Sequence, residues 1–139
     1  MRVLVLVKES PETEAGQLPP DEVFIEMNKF NESLVEAGVM LAADGLAPSS
    51  KGKRVAFDVD GGTAVIDGPF AEAKELVAGF WIWQVASMDE AVEWLKRSPF
   101  RGTEIELRQI MDLADYGDEL PAEVIEAEAR MRTKLTAQQ

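Results

Sequence analysis

Two runs in this chain are apolar at every position: Val3-Leu4-Val5-Leu6-Val7 and Phe80-Trp81-Ile82-Trp83. Successive residues of a strand point to opposite faces, so each run asks for cover on both sides of a sheet. Only two central helical segments are available, enough to cover one face. The C-terminal helical segment spans only part of a second face. A monomer would bare either Trp81 and Trp83 or Phe80 and Ile82, more contiguous apolar surface than a soluble monomer usually exposes. The pattern therefore predicts a homodimer packed sheet against sheet, at about 10 Å spacing.

The rest of the composition mainly excludes. At 139 residues the chain fits one domain. Its 46% hydrophobic content is that of a globular protein rather than a disordered one. A net charge of −12 repels phosphate backbones, so neither nucleic acid nor an anionic membrane is an expected partner. There is no Cys, hence no disulfide, thiol nucleophile or thiolate metal site. There is no His either, which removes the usual imidazole base and most zinc chemistry. Any catalysis must use carboxylates, Lys, Arg, Tyr116 or backbone groups. No metal and no cofactor is expected. The first apolar run is too short for a membrane span and lacks a small-residue cleavage site, so a cytoplasmic location is expected.

Periodicity orders the elements. The strand Val3 to Val7 precedes a loop over 9–20 carrying Pro11, Gly16, Pro19 and Pro20. A helix is predicted from Asp21 to Ala37, its stripe Val23, Met27, Phe30 and Leu34, with Gly38 as its stop. A short extended piece begins at Val39 and gives way to a loop. Arg54 to Asp58 and Thr63 to Ile66 read as strands joined by Asp60-Gly61-Gly62. A strand resumes from Ala78 to Val85. Ser87 and Glu90 form a capping box for a second helix, which Pro99 stops. Thr103 to Met111 reads as a last strand. After an acidic linker a third helix begins near Pro121, with Leu120, Val124, Ala127, Met131 and Leu135 at heptad-like spacing and Glu126–Arg130 and Glu128–Arg132 placed to pair. The order strand, helix, strands, helix, strand is that of a ferredoxin-like α+β fold: an antiparallel sheet with two helices on one face, plus a C-terminal helix. Domain boundaries are expected at 1–113 for the folded body and 114–139 for the linker and amphipathic helix.

The most distinctive local signal is Asp67-Gly68-Pro69-Phe70, a rigid turn expected to open a short helical piece over Ala71-Glu72-Ala73-Lys74-Glu75. With it go Asp44-Gly45-Leu46-Ala47-Pro48-Ser49, Val65-Ile66, Gly79-Phe80-Trp81 and Ala91-Val92-Glu93-Trp94-Leu95. On these residues the chain resembles the YCII-related family, in the subgroup named for the Asp-Gly-Pro-Phe tetrapeptide and also labelled DGPF-domain or PhnB-like proteins. The similarity covers roughly residues 1–113. It implies a dimeric α+β barrel whose biochemical role is poorly defined. YCII-type relatives are suspected of enzymatic activity through a His and an Asp in a cleft, and the absence of His forbids carrying that pair over. The resemblance also implies association with extracytoplasmic-type sigma factors.

Several residues are candidates for a site. Asp67 could be a pocket carboxylate acting as base or holding a ligand, although the Gly-Pro that follows favours a turn held by its side chain accepting backbone N–H groups. Glu72 is a second candidate acid, and Lys74 could form the polar end of a pocket. Phe70 and Trp81 could line a site for a planar ligand, whereas bulky strand residues such as Trp81 and Trp83 more often serve core or interface. Asp58 and Asp60 read as turn formers rather than metal ligands. Arg2 and Arg108 could meet an anion, or pair with Glu104 or Glu106. Three functions follow: a small-molecule-binding or accessory regulatory homodimer, an enzyme using Asp67 or Glu72 as acid or base on a small organic substrate, and a protein-interaction module using the C-terminal helix.

Overall fold

The computed structural model describes residues 1–72 and 75–138. The chain forms two compact units, Met1–Gln109 and Ile110–Gln139. In the first, a four-stranded sheet has the order β2-β5-β1-β6, with β1 Arg2–Lys8, β2 Met40–Gly45, β5 Val77–Gln84 and β6 Ile105–Gln109. Every neighbouring pair is antiparallel. With α2 (Asp21–Glu36) between β1 and β2, and α3 (Met88–Lys96) between β5 and β6, this is the ferredoxin-like arrangement. Between β2 and β5 the chain inserts a separate hairpin of β3 (Lys53–Phe57) and β4 (Thr63–Asp67).

Alternation decides the faces. Val3 and Val5 of β1 and Trp81 and Trp83 of β5 are buried, paired as Val3↔Trp83 and Val5↔Trp81. Phe30 and Leu34 of α2 and Ala91 of α3 complete that core. Phe30 meets Trp81 edge-on, centroids 5.9 Å apart and planes at 88°. On the other face Leu4↔Ile82 and Leu6↔Phe80 are paired and only half-buried. The stripe expected on α2 thus holds at Phe30 and Leu34 and weakens at half-buried Met27, whereas Val23 is exposed near the helix start.

Local chemistry sets most boundaries. Gly38, at φ +72°, turns the chain after α2. Ser87 caps α3 by accepting from the Glu90 N–H at 3.1 Å. The capping box expected there is only half formed, because Glu90 Oε2 accepts from Ala86 N–H rather than from Ser87. The stretch expected to be loop contains a one-turn helix, α1 (Pro11–Glu14), whose cap Ser10 and residue Thr13 each accept the other's backbone N–H. The last strand is shorter than its predicted Thr103 to Met111. The short helical piece expected at 71–75 includes Ala73 and Lys74, which lie outside the described residues.

In the second unit, a 3-10 turn over Leu113–Tyr116 is followed by α4 (Ala122–Ala137), which begins after Pro121. Glu128 and Arg132 pair at 3.6 Å along it. Val124, Met131 and Leu135 of its heptad-like stripe are exposed. No helix among the described residues is long and apolar enough to cross a membrane.

Candidate ligand site at one end of the sheet

The Asp-Gly-Pro-Phe turn is built against the segment after β2. Gly68 donates its N–H to the Gly52 carbonyl at 3.0 Å. A Cβ added to Gly68 would lie 1.7 Å from the Ser49 carbonyl oxygen, so no side chain fits there. Phe70 donates its N–H to Ser49 Oγ at 2.9 Å. Ser49 passes the connection on: its hydroxyl donates to Glu14 Oε2, and its backbone N–H to Glu14 Oε1 at 2.7 Å. Both Glu14 oxygens are thus used in a charge-assisted fork that ties α1 to the turn. The Arg54 guanidinium lies over the Phe70 ring, 3.9 Å from its centroid, and closes the cluster from the hairpin side.

Asp67 stands outside this cluster. Its side chain is 74% exposed and pairs with Lys53, its cross-strand neighbour, at 2.5 Å. Among the described residues Lys53 is its one hydrogen-bond partner, so the turn is held by the Ser49 and Gly52 bonds rather than by the Asp67 side chain. Glu72 is also exposed, with φ at +63°. Lys74 is not among the described residues. The structure therefore puts Asp67 and Phe70 on the hairpin side and Trp81 elsewhere, lining a pocket that neither of the other two touches.

That pocket, about 370 Å³, lies between α2 and the sheet. Phe24, Met27 and Trp81 supply apolar walls, with Phe100 from the segment after α3. Asn28, Asn31 and Asp44 supply polar groups, and among the described residues no Lys or Arg lines it. Its volume falls in the range of small-molecule sites, as does the mix of aromatic walls and few polar groups. Trp81 is fixed by donating Nε1–H to Asn31 Oδ1 at 2.9 Å. Gly45 and Gly79, opposite one another on β2 and β5, keep the end of the sheet bare of side chains. A Cβ on Gly79 would press to 3.1 Å from the Asp44 carbonyl oxygen.

A second pocket, about 580 Å³, opens at the same end of the sheet and is lined by Lys8, Glu9, Gly102, Thr103 and Glu104. Glu9 follows β1 directly and is only 8% exposed. Its N–H donates to the Leu76 carbonyl, and its Oε2 accepts from the Thr13 hydroxyl at 2.6 Å. Lys8 turns its ammonium to Glu106 Oε1 at 3.4 Å. The Arg108 guanidinium donates to the other Glu106 oxygen at 3.2 Å. Glu106 is held below its ordinary value of 4.5, first by that Arg108 bond and then by Lys8.

The sequence reading assigns no site role to Glu9, Glu14, Ser49 or Asn31, although Ser49 ends the Asp44 to Ser49 run that carries the family resemblance. A signal existed for two of them. Glu9 is an acid two residues beyond the all-apolar run Val3 to Val7, and Asn31 lies four residues after Met27, beside the buried stripe. Nothing local marks the Glu14–Ser49 bond, which joins residues 35 apart.

Fold and site together define a ferredoxin-like α+β protein with two pockets at one sheet end and a separate turn cluster on the side of the hairpin. The chain belongs to the YCII-related family, whose domain matches residues 1–114. It is 34% identical over 85 residues to an uncharacterized protein of Rhizobium meliloti (strain 1021), across 60% of this chain and 68% of that one. Among solved structures it is similar to 5-chloro-2-hydroxyhydroquinone dehydrochlorinase from Burkholderia phenoliruptrix AC1100, in complex with 2,5-dihydroxybenzoquinone. That match has 13% identity and a TM-score of 0.47, covering 83% of this chain and 98% of the other. A likeness of that size bears on neither activity nor ligand.

Proposed function

We propose that this chain is a cytoplasmic member of the Asp-Gly-Pro-Phe subgroup of the family and works as a homodimeric binder of a small planar organic molecule. The observation that carries the reading is the pocket between α2 and the sheet, with Trp81 locked by Asn31 and walls of Phe24, Met27 and Phe100. Aromatic walls favour a flat apolar body, while Asn28, Asn31 and Asp44 offer acceptors and amide donors at its edge. With no cation among its described lining residues, the pocket favours neutral or positively charged molecules over anions. Asp67 and Glu72 both face solvent, which favours binding over acid–base chemistry at those positions.

A second copy is supported by half-buried Leu4, Leu6, Phe80 and Ile82, which share the sheet face away from α2 and α3. The β3–β4 hairpin adds exposed Val55, Phe57 and Val65 on one of its faces. An isologous pairing covers such a surface on both protomers at once. Light scattering on a size-exclusion column tests this part: a species of 15.3 kDa at low micromolar concentration overturns it.

The ligand part is tested by ligand-observed NMR with a set of planar heteroaromatic fragments. Hits are expected to quench Trp fluorescence and to weaken at least tenfold in Phe24→Asp and Asn31→Ala. Fragments that bind both variants as tightly as the parent, or the absence of any hit, overturn the pocket assignment.

A further inference from the structure

Among the described residues Glu9 is the one buried carboxylate, and it is buried in an unusual way. A carboxylate taken out of water normally has a cation or several N–H donors around it. Among the described residues, Glu9 has a single neutral hydroxyl, from Thr13, on Oε2; Oε1 takes no hydrogen bond and is not among the fully buried unpartnered atoms, so it is the oxygen that reaches the surface. The nearest cation in sequence, Lys8, is engaged by Glu106. Yet Glu9 is not sealed in: it lines the pocket of about 580 Å³ together with Gly102, Thr103, Glu104 and Lys8, whose own charge is matched by Glu106. A charged group more than nine-tenths buried, with one unpartnered oxygen beside an open cavity, is a built acceptor without its donor.

We propose that the Glu9 pocket binds the ammonium or guanidinium end of a small organic cation. The cation would meet Glu9 Oε1, with Glu104 adding a second negative charge and the Thr103 hydroxyl an acceptor at the same wall. A bare divalent metal fits less well, because no group of three or more acidic side chains among the described residues is arranged to hold one. The chain's charge of −12 raises the local concentration of cations around it. This inference is independent of the planar ligand proposed above, since none of the residues lining the Glu9 pocket lines the Trp81 pocket.

The test is titration of the full chain with n-propylammonium and n-propylguanidinium, followed by amide chemical shifts, with n-propanol and propionate as controls. The expected result is saturable shifts at Glu9, Thr13, Gly102 and Thr103 with the two cations alone. Glu9→Gln is expected to weaken binding at least tenfold. Because a buried substitution can disturb folding, exposed Thr103→Lys is the second variant. It supplies a tethered ammonium and is expected to abolish binding while the far-UV spectrum stays that of the parent. Equal shifts with n-propanol, no saturable shift with either cation, or undiminished binding in Thr103→Lys overturns the proposal. None of these outcomes touches the Trp81 pocket.

Discussion

Ser49 and Glu14 form a two-pronged contact in which the serine gives both its hydroxyl and its backbone N–H to one carboxylate. The same hydroxyl accepts the Phe70 N–H, so one serine fastens α1, the segment after β2 and the Asp-Gly-Pro-Phe turn together. Ser49→Ala removes two of these three bonds and leaves a part-buried carboxylate short of a donor. The expected loss is about 2–3 kcal/mol, the scale of hydrogen bonds to charged groups. Urea melts of Ser49→Ala, Glu14→Ala and the double variant check it, with an expected coupling of about 1–3 kcal/mol between the sites. Additive losses would mean that the fork does not bear on stability.

Gly68 is required by space. A methyl group there would overlap the Ser49 carbonyl oxygen at 1.7 Å, and both partners are backbone, so neither can swing away. Gly68→Ala is expected to cost at least about 3 kcal/mol, at the high end for overpacking. Gly61→Ala is the control. Gly61 has φ +89° but nothing within 4 Å of a built Cβ, so only backbone strain of about 1–2 kcal/mol is expected. Thermal melts that rank Gly61→Ala as the worse of the two would contradict the close-approach account.

Glu106 is held below its ordinary value of 4.5, first by the Arg108 bond and then by Lys8. A carboxylate whose folded value is depressed favours the folded state above about 4.5, and that contribution disappears as pH falls through the lower folded value. Arg108 is exposed and Glu106 partly so, and the effect is expected to be small and to fade with salt. Side-chain carbon NMR titration should place the Glu106 midpoint below 4.5, rising in Arg108→Gln and further when Lys8→Met is added. A midpoint indifferent to both substitutions would remove the ion pairs as its cause.

What could be read from sequence was whatever repeats locally. Val3 to Val7 and Phe80 to Trp83 declared strands, and the Trp81/Trp83 face is the buried one. The Asp60-Gly61-Gly62 turn declared the hairpin, and the heptad-like spacing declared α4. The one-turn helix α1 was hidden, because four residues beginning with Pro carry no period against a Pro- and Gly-rich background. The function of the tetrapeptide was hidden for another reason. Its key partner, Ser49, sits 21 residues before Phe70, and the residue that drew attention, Asp67, points to solvent and Lys53. The buried acid is Glu9 instead, and burial of a single charged residue leaves no mark on hydrophobic pattern.

Trp81 and Trp83 share a strand face yet differ at their nitrogens. Trp81 Nε1–H reaches Asn31 Oδ1 at 2.9 Å, whereas Trp83 Nε1, on a fully buried ring, finds no acceptor among the described residues. Asn31→Leu should strand the Trp81 N–H and cost about 1–3 kcal/mol, the desolvation penalty of an unsatisfied buried donor. In a Trp81→Phe background the same change should be close to neutral, because no N–H remains to be stranded. A Trp83→Phe background should leave the cost of Asn31→Leu intact. Trp83→Phe alone sheds ring volume but also removes an unpaired donor, and the second effect offsets part of the first. Guanidinium melts of these variants and their doubles decide the matter. If Asn31→Leu costs the same with and without the Trp81 nitrogen, the bond does not contribute, and Asn31 is held in place by packing alone.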